Sequence, residues 1–158
     1  MNEVTKLVAK YAIIVPVLIV LYVFIRMKDN HSRINFAILL CAGGLLSLVL
    51  AKISGHLIYD PRPFVVGHFT PLIPHTNDNG FPSDHTLLAS FLGFALLPYA
   101  KKLGLLTLAI AACIGLARIA AGIHHLQDII GSFVITAGAT LVVLAILELV
   151  RPHHSDAQ

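Results

Sequence analysis

Charge is scarce in this chain. Of 158 residues, 8 are Asp or Glu and 11 are Lys or Arg, so that 12% are charged against 57% hydrophobic. A soluble domain carries roughly twice that share of charge, which makes a soluble helical bundle a poor reading. The net charge of +3 is too small for a polyanion-binding face, and the positive residues gather at the ends of apolar runs. No nucleic acid is expected as a partner. Cysteine is rare too. Cys41 and Cys113 stand singly among apolar residues, which excludes a disulfide framework and predicts reduced packing residues. No stretch alternates with period two, which argues against a β-barrel. Inverted repeats of the transporter kind are also missing.

What is present is a series of apolar blocks about 20 residues long, the length that crosses a bilayer. They predict an all-α, polytopic transmembrane bundle of about five spans, near 7–27, 34–59, 85–100, 103–121 and 127–150, forming one domain over 1–158. The first block has no small-residue cleavage site and is followed by Arg26-Met27-Lys28, so it reads as a retained span. Pro16 predicts a kink in it. Gly43, Gly44 and the small-residue run from Ala109 to Gly122 predict close helix approach. The third block is short, which places His85 below the membrane surface. The connection Asp60–Ser83 holds Pro61, Pro63, Pro71, Pro74 and Pro82 beside Phe64, Phe69, Leu72 and Ile73. Such a loop packs on or dips into the interface.

Lysine and arginine counts orient the bundle. Arg26, Lys28, Arg33, Lys101, Lys102 and Arg151 share one side, expected to be cytoplasmic. The amino terminus then lies outside and the carboxyl terminus inside. All three polar segments fall on the outer side, which the charge count did not require.

Those segments are Asp60-Pro61-Arg62-Pro63, Phe81-Pro82-Ser83-Asp84-His85 and Arg118 through Asp128. His124 and Asp128 are four apart, so on a helix a carboxylate reaches Nδ1 and leaves Nε2 free as nucleophile or base. The bland alternative is a capped helix with His124 in a loop and Asp128 near the helix dipole. Arg118 could merely snorkel. Arg62 is fixed between two prolines, and two guanidinium forks near one histidine suit a phosphate. Ser83 occupies a helix-cap position whose amides form an anion site, or is only a cap. His85 in that first turn implies an anionic ligand or a carboxylate partner such as Asp84. Lys52, a lysine inside a span, is a candidate phosphate contact. Thus Arg62, Arg118, Ser83, Lys52 and Asp84 are the candidate phosphate-pocket residues. His68 and His75 lie in the long loop, within possible reach of the site. His125 is read as interfacial. His31, His56, His153 and His154 carry no assignable role.

In this order the segments resemble the type 2 phosphatidic acid phosphatase superfamily. That pattern has Lys, six residues, Arg-Pro; then Pro-Ser-Gly-His; then Ser-Arg, five residues, His, three residues, Asp. Here Arg62-Pro63, Pro82-Ser83-x-His85 and Arg118-x5-His124-x3-Asp128 match, within 52–130. The resemblance implies His124 as nucleophile, Asp128 as its orienter, His85 as general acid and no cofactor. There are three departures. Nine residues separate Lys52 from Arg62, Asp84 replaces the glycine, and Ala117 replaces the serine. Asp-Pro-Arg-Pro-Phe and Asp-Asn-Gly-Phe-Pro-Ser-Asp-His resemble bacterial undecaprenyl-diphosphate phosphatases linked to bacitracin resistance. The expected function is removal of the terminal phosphate of a polyprenyl diphosphate in the plasma membrane. A monophosphatase for phosphatidylglycerol phosphate or phosphatidic acid is the alternative. A zinc site of His85, His124 and Asp128, and a transporter or channel, are the remaining readings. Neither the preferred lipid nor the oligomeric state is encoded legibly.

Overall fold

A computed structural model describes residues 2–150; Arg151, His153 and His154 lie outside the described residues. Among the described residues eight α-helices follow one another: α1 Asn2–Tyr11, α2 Ile14–Arg26, α3 Asn30–Ile38, α4 Gly44–Leu57, α5 Pro63–Val66, α6 Asp84–Leu96, α7 Lys101–Ala120 and α8 Leu126–Leu149. A five-residue π-helical segment, Leu39–Gly43, joins α3 to α4 in one continuous helix, Asn30–Leu57. Among the described residues there is no strand, only an isolated bridge between Pro61 and Asn79.

Among the described residues three helices are long and apolar enough to cross a bilayer alone: Asn30–Leu57, α7 and α8. The pair α1–α2 makes a fourth if taken as one span, bent by 42°. The break comes at Ala12–Ile13 rather than at Pro16 itself. Proline lacks an N–H and its ring clashes with the carbonyl four residues back, which is that of Ala12. The expected third span over 85–100 is shorter than anticipated. The helix ends at Leu96, because Pro98 has no N–H to donate to the carbonyl four residues back. At 1.5 Å per residue α6 is only about 20 Å long. The second span begins earlier than 34, since Asp29 caps it by accepting from the Ser32 N–H at 2.7 Å.

α6 is the centre of the bundle. Nine of its thirteen residues are buried, and it packs on both α7 and α8. A helix buried over most of its surface needs no continuous polar face. Its contact with α7 is made at Gly93 and Gly104, where an added Cβ would sit 3.0 Å from the Leu108 and Leu97 backbone nitrogens respectively. Gly43 and Gly44 receive the ring of Phe91, the close approach expected of them. Against α8 the contact is polar: Ser90 Oγ lies 2.9 Å from Thr136 Oγ1, and Ser132 Oγ donates to the Ser83 carbonyl at 3.0 Å. Hydroxyls between helices suit a setting without water. Cys41 and Cys113 are free but exposed, so they face outward instead of packing. In a protein with this much apolar surface that position is lipid-facing, and an exposed cysteine there carries no penalty.

The end of α4, the start of α6, the end of α7 and the start of α8 meet at one end of the bundle, closed by the long loop. Phe69 packs over Gly122, the one glycine with positive φ (+77°) among the described residues. A side chain there would be strained and would also strike the Phe69 ring at 2.5 Å. Leu72 and Ile73 join Ala9, Ala121 and Ile123 in a small apolar cluster. The loop therefore lies against the helix ends, as its apolar content predicts.

Candidate active site

His124 does not stand on a helix. α8 begins at Leu126 with His125 as its N-cap residue, and His124 sits in the turn before it. The contact with Asp128 forms nonetheless, Nδ1 to Oδ2 at 3.1 Å. The same oxygen accepts the His125 backbone N–H at 2.9 Å. The helix cap and the histidine contact thus share one carboxylate, and the expected contact forms without the expected helical placement of His124.

The other face of the ring fixes its tautomer. Arg62 Nη1 lies 3.3 Å and Arg118 Nη2 3.2 Å from His124 Nε2. Guanidinium nitrogens only donate, so Nε2 is the acceptor and Nδ1 carries the proton toward Asp128. His124 is 2% exposed. Burial, followed by the two arginine charges, holds its pKa below the ordinary histidine value, which keeps Nε2 unprotonated near neutrality.

Both arginines are built in. Arg62 Nη1 also donates to the Ile123 carbonyl at 2.9 Å, and its Nε to Asp78 Oδ1 at 2.6 Å. Arg118 Nη1 donates to the Ala9 carbonyl at 3.1 Å, which rules out the snorkelling alternative. Arg118 Nε and Asp128 Oδ1 are buried without a hydrogen-bond partner. Buried polar atoms are nearly always paired, so the Arg118 Nε–H is a buried donor with capacity for an acceptor such as an anion.

Ser83 is the N-cap residue of α6, but its side chain caps nothing. Its buried Oγ instead accepts from Thr86 Oγ1 at 3.2 Å, leaving its own proton for another acceptor. His85 is half-buried and feels the charges of Arg118, Asp84, His124 and His75. Asp84 is exposed. Lys52 is exposed as well, yet it lines a polar cleft of about 370 Å³ together with Arg62, Asp78 and Asp84, so the extra helical turn has not removed it from this end.

Several partners were not foreseen. Asp78 pairs with Arg62. Asn79 Oδ1 accepts from the Asp60 and Phe81 amides, while its Nδ2 donates to the Gly55 and Ile58 carbonyls. His125, taken as interfacial, is tied to Asp60 Oδ2 through Nδ1 at 3.0 Å. His75 reaches the site and stands edge-on to His124, ring centres 6.3 Å apart. His68 remains exposed at a positive φ of 50°. The grouping with metal-ligand geometry among the described residues is Asp60, His125 and Asp128, not the set His85, His124 and Asp128. Its Asp60 and His125 atoms already bond each other.

The chain belongs to the PAP2 superfamily. The family model matches residues 34–151. The chain is 34% identical over 149 residues to the bacitracin transport permease protein BcrC of Bacillus licheniformis, covering 93% of this chain and 69% of that protein. It is 30% identical over 154 residues to the undecaprenyl-diphosphatase BcrC of Bacillus subtilis, covering 96% and 78%. A transmembrane PAP2-type phosphatidylglycerolphosphate phosphatase from Bacillus subtilis shares the fold, with a TM-score of 0.67 at 21% identity, covering 96% of this chain and 79% of that one. The chain is accordingly a multi-pass membrane protein of a phosphatase family.

Proposed function

We propose that this chain hydrolyses undecaprenyl diphosphate to the monophosphate and inorganic phosphate, acting as one phosphatase domain. The observation that carries the reading is His124 Nε2, unprotonated and within 3.3 Å of two guanidinium groups. A phosphoryl group drawn to those arginines meets the nitrogen lone pair. His124 attacks the terminal phosphorus in line, and the bond to the bridging oxygen breaks. His85 supplies a proton to the departing lipid phosphate as needed. Water then attacks phosphorus, the N–P bond breaks, and His85 takes the proton back. The guanidinium groups neutralise charge on the equatorial oxygens, the chief contribution in such transfers. Ser83 and Lys52 are proposed as further phosphate donors.

A lipid substrate is supported by an apolar cavity of about 560 Å³ lined by Val20, Leu40, Leu48, Leu87, Phe91 and Leu92. It shares Leu48, Asp84 and Leu87 with the polar cleft, so a prenyl tail and its charged head find adjoining surfaces. We place the site on the outer face, with the amino terminus outside and the carboxyl terminus inside.

The relatives bear different names, permease and diphosphatase, and turnover separates the two. Purified protein is offered undecaprenyl diphosphate, short prenyl diphosphates, phosphatidylglycerol phosphate and phosphatidic acid. Fastest release of phosphate from undecaprenyl diphosphate is expected. Preference for a monophosphate would replace the substrate, and no release from any would remove the enzyme.

A further inference from the structure

Three polar atoms at the site are buried without a hydrogen-bond partner: Arg118 Nε, Asp128 Oδ1 and His75 Nδ1. The first two belong to groups already discussed. His75 belongs to none of the three matching segments, yet its ring centre lies 6.3 Å from that of His124. We infer that His75 is a phosphate ligand, its imidazole donating to an equatorial oxygen of the phosphoryl group held by Arg62 and Arg118. The inference rests on the phosphatase reading above.

Distance decides the role. In an in-line transfer the acid or base stands opposite the nucleophile. Two phosphorus bonds of roughly 2 Å and a hydrogen bond of about 2.8 Å then separate the two nitrogens by about 7 Å, and the ring centres by more. The observed separation between ring centres is 6.3 Å, too short for an axial group. It fits a ring beside the phosphate, reaching an oxygen that lies off the reaction axis. The rings are nearly perpendicular, at 79°, so they are not stacked face to face.

The loop holds His75 there from both sides. Upstream, the Leu72 N–H donates to the Ala121 carbonyl at 3.0 Å. Downstream, Asp78 binds Arg62 at 2.6 Å and accepts from Thr76 Oγ1 at 2.8 Å. His75 is thus fixed to the same elements that carry His124 and the arginine. Burial, then the charges of Arg62 and Arg118, lower its pKa, opposed by the Thr76 backbone and Asp78. A neutral imidazole still has one N–H to donate, and it adds no third cation to the empty site. That division suits a pocket that must release inorganic phosphate after each turnover.

The test compares full-length wild type with His75→Gln, which keeps a donor, and His75→Phe, which keeps a ring and removes it. Inhibition of lipid diphosphate turnover by inorganic phosphate and by orthovanadate is measured, with KM and kcat. His75→Phe is expected to raise both inhibition constants at least about tenfold, as for loss of a hydrogen bond to a charged group. His75→Gln is expected to stay within about threefold of wild type. Unchanged inhibition constants in His75→Phe overturn the role, and so does a loss confined to kcat, which marks an acid or base. If wild type releases no phosphate from any lipid, the phosphatase reading and this one fall together. If it does and inhibition ignores His75, only the ligand role is lost.

Discussion

Asp128 Oδ2 serves two donors, the His124 ring and the His125 amide. Asp128→Asn is therefore expected to cut turnover by about 10²–10⁴-fold while leaving the fold in place, since an amide favours the wrong tautomer. His124→Ala is expected to abolish turnover, and full activity in it would sink the assignment. Because burial and the arginines lower the His124 pKa, the acid limb of kcat/KM should fall below the ordinary histidine value of about 6.5. Protonation removes the nucleophile, so activity is lost as pH falls, not as it rises. An acid limb above 7 would contradict the geometry. His85 offers a finer test. A diphosphate releases a phosphate oxygen, far less basic than an alkoxide. In single-turnover rates, His85→Gln should keep more activity on prenyl diphosphate than on phosphatidic acid. Equal proportional losses would remove that argument.

At the scale of elements, α6 and α7 touch through glycines, and Gly93→Ala is expected to cost about 1–3 kcal/mol, as overpacking usually does. The added Cβ meets Leu108, including its backbone nitrogen at 3.0 Å, which a side-chain rotation cannot relieve. Thermal unfolding in detergent measures this, and an unchanged midpoint would show that the helices slide apart freely. Much of the element pattern was legible beforehand: α7 and α8 lie within two residues of the expected spans. The misplaced features depend on single residues, Pro98 truncating α6, Asp29 starting α3 early, and Ala12 taking the break ascribed to Pro16. The site was legible where partners lie close in sequence, as with His124 and Asp128. Arg62 with Asp78, and Asp60 with His125, are 16 and 65 positions apart. Their meeting depends on the path of the long loop, and no local spacing encodes that path.

For the whole molecule, the expected orientation can be read by labelling. In a cysteine-free background, Thr76→Cys and Lys101→Cys report on opposite ends of the bundle, and both positions are exposed. Only Thr76→Cys is expected to react with an impermeant thiol reagent in intact cells. Labelling of Lys101→Cys alone would invert the molecule. Chelators are expected to leave turnover unchanged; zinc-reversible inactivation would replace the phosphohistidine route with a metal one. The contact between Arg118 and the Ala9 carbonyl, 109 positions apart, has a further consequence. The region shared with the family begins at residue 34, so α1 falls outside the part by which such proteins are recognised. A chain cut at that boundary would keep every signature residue and lose the brace behind one of its two guanidinium groups.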